Sequence, residues 1–194
     1  QITDIPLGLV GIVGRATYDY KNTYLANFSI GYNGSENFAK GKRFGVFPAF
    51  SAGWVMTNEP FMENQSALDF MKIRVSYGLV GNDRIGGNRF LYLPNSFDPT
   101  SGNYNFGTDT PFNQPAASEG QIGNPDVTWE TSEKQNYGIE LKLLDNKLGL
   151  NVDYFIENRS DILAFRGTVP AFVAYDLPAV NIGKVQNKGF EIEL

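Results

Sequence analysis

The sequence contains no cysteine and no histidine among its 194 residues. The first absence excludes disulfides and thiolate chemistry, and the second removes imidazole metal ligands and the commonest general base. The chain also lacks a run of about 18 apolar residues, which excludes a transmembrane helix. Its opening residues, QITDIPLGLV, do not show the basic-then-apolar order of a signal peptide. If the protein is exported, we expect its signal to lie outside this chain.

Basic residues are fewer than acidic residues, with 16 Lys and Arg against 21 Asp and Glu. The formal net charge is −5, and the Lys and Arg residues form no cluster. A protein that binds nucleic acid or anionic lipid through its charge shows a basic patch. We therefore expect no nucleic-acid partner. Hydrophobic residues make up 42% of the chain, enough for a substantial core in one or two domains.

Acid–base chemistry would have to come from carboxylates. Asp153 and Glu157 share one face of a predicted strand, as do Glu191 and Glu193, and glycoside hydrolases use two carboxyl groups about 5–9.5 Å apart. Alternate residues of any strand share a face, however, so we interpret these pairs as lining a solvated or lumen-facing surface. The sequence also lacks the spacings of calcium, phosphate and dinucleotide loops. We expect no catalytic residue, no metal site and no cofactor, and hence no enzyme.

The pattern that is present is alternation with period two. In the segment FMKIRVSYGLVGND, which covers residues 70–83, apolar residues alternate with Lys72, Arg74 and Ser76. Such alternation is typical of a β-strand with one apolar and one polar face. The same pattern predicts about seven strands in all, at 9–20, 24–32, 44–56, 70–83, 127–143, 148–156 and 182–194.

The connections alternate in length. Short turns at 21–23 and 145–147 and a compact link at 58–69 fall at one end of the predicted sheet; longer stretches at 34–43, 83–126 and 161–180 fall at the other. This arrangement is typical of an antiparallel up-and-down meander with a functional rim. The predicted strands run to about 10–15 residues, and a tilted strand needs roughly 9–11 to cross a bilayer.

The apolar face could meet lipid or a second sheet. Tyr and Trp residues lie near predicted strand ends, as in the aromatic girdles of membrane barrels; they include Tyr18, Tyr20, Tyr24, Trp54 and Trp129. We predict a barrel on this ground. The alternative is a soluble β-sandwich carbohydrate-binding module, which would bury its Trp residues in mid-strand.

Six ordered blocks carry a family resemblance: YDYKNTYLANFSIGYNGSENF, RFGVFPAFSAGWVMTNEPFM, MKIRVSYGLVGN, GNPDVTWETSEKQNYGIEL, NRSDIL and NIGKVQNKGFEIEL. Together they resemble the C-terminal barrel strands of the SusC/RagA family of TonB-dependent transporters. The resemblance implies an all-β fold, an antiparallel up-and-down meander that forms part of a large transmembrane β-barrel of about 22 strands with an internal plug. We expect residues 1–194 to be a partial barrel without a plug domain, belonging to a longer protein.

The resemblance also implies a function. Members of the family import nutrients through the bacterial outer membrane, so we expect uptake of an oligosaccharide or an oligopeptide. The implied partners are a SusD-like surface lipoprotein that caps the barrel, TonB acting through a region outside this chain, and membrane lipid.

The 83–126 segment is the candidate binding loop, because its aromatic rings, amides and guanidinium groups suit sugar rings or peptide backbone. We place it on the extracellular rim, touching substrate or lipoprotein. The proposed contact residues are Arg84, Arg89, Tyr92, Phe97, Tyr104, Phe106 and Phe112. The alternative is that these aromatics pack the loop against itself or against a partner subunit.

The alternation assigns side chains to two faces. We expect a lipid-facing set comprising Tyr24, Phe28, Ile30, Ile73, Val75, Tyr77, Leu150 and Val152. We expect the opposite face to hold Lys72, Arg74, Glu130, Lys134, Glu140, Lys142, Asp153 and Glu157, whose charges can be offset by cross-strand pairs.

Overall fold

A computed structural model shows one antiparallel sheet of seven long strands and two small two-stranded sheets. The structure describes residues 8–63, 68–84, 89–94, 97–98, 103–107, 112–115, 118–119, 122–165 and 177–194. The long strands are β1 (Leu9–Tyr20), β2 (Tyr24–Ser35), β3 (Phe44–Val55), β4 (Leu68–Asn82), β9 (Glu130–Leu143), β10 (Leu148–Ala164) and β11 (Val180–Glu193). Two 3₁₀ turns, Met56–Asn58 and Pro60–Met62, lie between β3 and β4.

Each long strand pairs with the next long strand along the chain, in the order β1-β2-β3-β4-β9-β10-β11. All six pairings are antiparallel, so successive connections fall at opposite ends of the sheet. This confirms the predicted meander, with its short turns at one end and its long loops at the other. Within the described residues, no helix is long and apolar enough to span a membrane.

The alternation predicted no strand in the long segment between β4 and β9, but regular structure occurs there. Its described residues include four short strands: β5 (Phe97–Asp98), which pairs with β8 (Ser118–Glu119), and β6 (Asn103–Phe106), which pairs with β7 (Phe112–Pro115). Strands of two to four residues are too short for an alternation to stand out from chance.

The register places the whole predicted lipid-facing set on one face. Tyr24 is opposite Trp54, which is opposite Ile73, and the row continues through Ile139 and Val152 to Ile192. A parallel row joins Phe28, Phe50 and Tyr77. Phe28 is 46% exposed and Tyr77 43% exposed, so neither lies beneath a second sheet in the described part of the chain. The sandwich alternative was therefore wrong.

The charged residues share the opposite face, as predicted, and several pair across strands. Arg74 Nη2 lies 2.5 Å from an oxygen of Asp153, and Lys134 Nζ lies 3.7 Å from Glu157. Arg159 joins this set by contacting Glu130 at 3.4 Å and Glu157 at 3.2 Å. Lys142 places its ammonium group 5.6 Å from the ring centre of Phe70. Charges on this face are thus largely offset by neighbouring strands.

Val75 and Ser76 are adjacent in the middle of β4 and point to opposite faces. We expect Val75→Arg to lower the free energy of unfolding of the full-length protein in phospholipid vesicles by about 2–4 kcal/mol, because it places a charge in hydrocarbon. The measurement is the denaturant midpoint of the reconstituted barrel.

Ser76→Arg is the matched control, since it adds the same side chain one residue away on the polar face. We expect it to leave the midpoint near the wild-type value. Equal losses in the two variants would show that the face assignment is wrong.

Candidate functional site

At the long-loop end of the sheet, a buried apolar cluster joins chain segments that are far apart in sequence. Phe38 and Val127 are fully buried, Trp129 is only 8% exposed, and Phe47, Leu91 and Leu163 pack against them. We call these six residues the rim cluster. They come from the β2–β3 loop, the segment preceding β9, strand β3, the long loop and strand β10. The cluster therefore fixes the long loops to the barrel wall.

Trp129 is the centre of the rim cluster. Its ring centre lies 5.2 Å from that of Phe38 and 5.3 Å from that of Phe47. Its indole N–H donates to the carbonyl oxygen of Arg43 at 3.2 Å, so the one polar atom of the buried ring has a partner. Arg43 Nε in turn donates to the carbonyl oxygen of Phe38 at 3.1 Å.

The expectation that Trp129 belongs to an interfacial girdle was therefore wrong. Strand β9 begins at Glu130, so the alternation of that strand does not set the side on which Trp129 lies. The preceding residues turn instead, with the Val127 N–H donating to the carbonyl oxygen of Asn124 at 3.4 Å. Trp129 packs inward as a result.

Two glycines make room for the ring of Phe47. A Cβ atom on Gly81 would lie 1.9 Å from Cζ of Phe47, and one on Gly45 would lie 2.5 Å from the same atom. Pairing between β3 and β4 reaches only as far as Ala49, next to Pro48, which has no N–H to donate to a ladder. Beyond Ala49 strand β3 is no longer paired with β4, and the ring of Phe47 packs against the rim cluster there.

The base of the long loop is closed by main-chain contacts. The N–H of Asn124 donates to the carbonyl oxygen of Leu91 at 2.8 Å, and a Cβ on Gly123 would lie 2.6 Å from the nitrogen of Pro94. The side chain of Asn124 donates to the carbonyl oxygen of Ala179 at 2.8 Å, which ties the base to the β10–β11 connection. The residues that flank 95–121, a segment that we call the excursion, thus lie close together.

Three of the seven predicted contact residues have described side chains. Arg89 forms an ion pair with Glu36 and lies 4.8 Å from the ring centre of Phe90. Tyr92 meets the same ring edge-on, at 6.1 Å between centres. Arg84 is exposed at the end of β4, where its N–H donates to the side chain of Asn82 at 3.1 Å.

The structure thus groups Arg89 and Tyr92 around Phe90 near the loop base and leaves Arg84 apart. The side chains of Phe97, Tyr104, Phe106 and Phe112 lie outside the described residues, so their role stays a prediction.

Sequence reasoning missed the partners that the β2–β3 loop supplies. Glu36 pairs with Arg89, and Lys42 Nζ lies 2.6 Å from an oxygen of Asp126. The second pair is exposed and contributes little to stability, but it joins the same two loops as the rim cluster. No local pattern in the sequence signals these contacts, because the partners are 53 and 84 residues apart.

Below the rim, the polar face forms an open groove of about 620 Å³ lined by Asn27, Lys72, Arg74, Asn136, Asp153 and Glu191 among others. Gly138 lies under the Arg74–Asp153 pair, and a Cβ there would come within 2.3 Å of Arg74 Nε. Within the described residues, Oδ1 of Asp153 has no hydrogen-bond partner. That oxygen is buried, so the surface that the groove offers to water or polar ligands is formed by the Arg74–Asp153 ion pair and the polar side chains beside it.

Comparison with known proteins gives one family. A family model described as "TonB dependent receptor-like, beta-barrel" matches residues 7–194. TonB-dependent receptor P39 of Formosa agariphila is 32% identical over 96% of this chain and 17% of its own length. TonB-dependent receptor SusC of Bacteroides thetaiotaomicron is 29% identical over 96% of this chain and 18% of its own. The chain thus spans less than a fifth of these curated relatives.

Solved structures show the same fold. The RagAB peptide importer in its "closed-closed" state matches 96% of this chain and 19% of its own, with a TM-score of 0.78 and 22% identity. The siderophore receptor PirA from Pseudomonas aeruginosa matches 95% of this chain and 30% of its own, with a TM-score of 0.57 and 12% identity.

The rim cluster can be tested through the two tryptophans of the chain, Trp54 and Trp129. Trp129→Ala leaves a cavity, a change that typically costs about 3–5 kcal/mol, and it should loosen the base of the long loop. We expect limited proteolysis of the full-length protein to cut within residues 85–121 at least about tenfold faster.

Trp54→Ala removes the same side chain from the opposite end of the sheet and is the control. Its rate of cleavage in that segment should match the wild type. A Trp129 variant that is cut no faster would mean that the rim cluster does not hold the loop.

Proposed function

Because the chain belongs to the TonB-dependent receptor β-barrel family, we propose that the whole protein imports a nutrient across the bacterial outer membrane. The chain supplies seven adjacent strands of the barrel wall. The nutrient is an oligosaccharide or an oligopeptide, captured together with a SusD-like surface lipoprotein. TonB provides the energy through a region outside this chain.

The observation that supports this proposal most strongly is the division of the sheet into two unlike faces. The described strands keep an uncovered apolar face on one side and paired charges on the other. A soluble sheet would cover its apolar face with a second layer. A barrel wall instead turns that face to lipid and the charged face to an aqueous lumen.

The long loops give the direction of import. Bacterial barrels keep short turns in the periplasm and longer loops outside the cell, so the rim cluster lies at the extracellular end. There the guanidinium group of Arg89 lies over the ring of Phe90, and the ring of Tyr92 meets Phe90 edge-on, at the base of the excursion. Flat rings with polar tips stack on sugar rings and on peptide groups alike.

The proposed role is binding and transport without catalysis. The curated relatives are named receptors, and the structural neighbours are an importer and a receptor. Several carboxylates of the charged face are engaged in structure: Glu157, for instance, accepts from the Ser132 hydroxyl at 2.6 Å and from Arg159 at 3.2 Å.

A deletion of the excursion tests its role in nutrient uptake and lipoprotein binding. Replacing residues 95–121 by two glycines in the full-length protein should leave assembly intact, because Pro94 and Gly123 already touch. We expect nutrient uptake, or co-purification of the lipoprotein, to fall about tenfold or more, since binding residues are commonly carried by loops on a rigid scaffold. Heat-modifiable migration on gels measures assembly, and uptake of labelled oligosaccharides and oligopeptides in separate arms measures function.

A second variant changes Phe97, Tyr104, Phe106 and Phe112 to Ser without shortening the chain. It should impair the same readout as the deletion if the aromatic side chains make the contact. Normal uptake together with normal lipoprotein association in the deletion variant would contradict the role given to the excursion. Loss of assembled barrel would instead show that the excursion supports the wall.

A further inference from the structure

The connection between β3 and β4 folds against the short-turn end of the apolar face. Glu59, between its two 3₁₀ turns, accepts a hydrogen bond from the hydroxyl of Tyr24 and another from the indole N–H of Trp54, the latter at 3.0 Å. Tyr24 and Trp54 are cross-strand partners on the apolar face. The carboxylate of Glu59 therefore fixes this connection, residues 56–63, on the same side of the sheet as the apolar face. We call these residues the link.

Further contacts hold the link in place. The side-chain amide of Asn58 donates to the carbonyl oxygen of Asn22 at 2.9 Å, which ties the link to the β1–β2 turn. The hydroxyl of Thr57 accepts from the N–H of Met71 at 3.4 Å, which ties it to β4. Pro60 begins the second 3₁₀ turn with its backbone already restricted. The link is thus a fixed element.

Phe61 lies in this fixed element and remains 62% exposed. It follows Glu59 by two residues, at the short-turn edge of the face that carries Tyr24, Trp54 and Ile73. A large exposed aromatic ring is unfavourable in water but suits the boundary between lipid headgroups and acyl chains. Its position therefore continues the apolar face beyond the ends of the strands.

We propose that the link is a lipid-binding element, in which Phe61 inserts into the periplasmic leaflet and Glu59 receives the hydrogen bonds that Tyr24 and Trp54 would otherwise give to phospholipid headgroups. This inference rests on the membrane location of the barrel and not on import, so the two proposals can fail separately. The short-turn end is the periplasmic end, which identifies the leaflet.

The ionisation of Glu59 limits the depth of the link. The hydrogen bond from Tyr24, and then that from Trp54, lowers the pKa of the Glu59 carboxyl below its usual value, so the group is charged at neutral pH. A charged carboxylate is costly in hydrocarbon. The link is therefore held at the headgroup level, with the Phe61 ring reaching the outer part of the acyl region.

The test uses the full-length protein with any native cysteines replaced. An environment-sensitive fluorophore is attached at Phe61→Cys, and the protein is reconstituted in phosphatidylethanolamine and phosphatidylglycerol vesicles. Lipids brominated near the headgroup end of the acyl chains should quench this label at least about twofold more than lipids brominated near the chain ends. Since Phe61 is exposed, the substitution removes no buried contact.

Two further labelled variants serve as controls, one expected outside the membrane and one expected within it. Asp145→Cys, in the exposed β9–β10 turn at the same end of the sheet, should be quenched by neither lipid. Tyr77→Cys, on the apolar face, should be quenched by both. A label at position 61 that behaves like the one at position 145 would overturn the proposal. So would a label that is shielded from water yet unquenched, because protein rather than lipid would then cover it.

A further variant tests Glu59 itself. In a Glu59→Ala background, quenching of the label at position 61 should fall at least about twofold, because the link has lost its hold on Tyr24 and Trp54. Glu59→Gln keeps an acceptor oxygen and should retain most of the quenching. Unchanged quenching in the Ala variant would remove Glu59 from the proposed element.

Discussion

Antiparallel register, kept nearly unbroken across seven strands, decides on which side of the sheet each side chain lies. The shifts within the described pairings fall between Leu68 and Phe70 and between Arg159 and Leu163, both close to strand ends. Because side chains alternate with period two, a slip of one residue in β4 would turn Lys72 and Arg74 toward the apolar face. Their partners on neighbouring strands would then be lost, and the charges would face hydrocarbon at high cost.

The position of the rim cluster depends on where the pairing between β3 and β4 ends. Pairing between β3 and β4 ends at Ala49, while β4 continues beside β9 as far as Asn82 opposite Glu130. The upper part of β3 is therefore free of β4, and the ring of Phe47 occupies the space above Gly81. The ring of Trp129 packs edge-on against the ring of Phe47. The hydrophobic cluster that anchors the loops thus begins where the hydrogen-bonded ladder ends.

Local pattern explains what the sequence could predict. The long strands, their two faces and the alternation of short and long connections all follow from period-two alternation over about ten or more residues, a signal that neighbouring residues create together. This reasoning could not predict the contacts of Trp129, Glu36 and Glu59, because these contacts involve residues distant in sequence. The four short strands of the described residues were not predicted because they are too short to show alternation. The 83–126 loop therefore stays a predicted site, and the contacts that hold its base were not foreseen.

The wall and the excursion depend on different kinds of interaction. The base of the long loop is held by the main-chain bond between Leu91 and Asn124 and by the rim cluster, none of which involves residues 95–121. We therefore expect the register of β4 and β9 not to depend on the excursion. The register of the strands and the fixing of the loop base thus rest on separate contacts: cross-strand pairing holds the first, and buried rings with one main-chain bond hold the second.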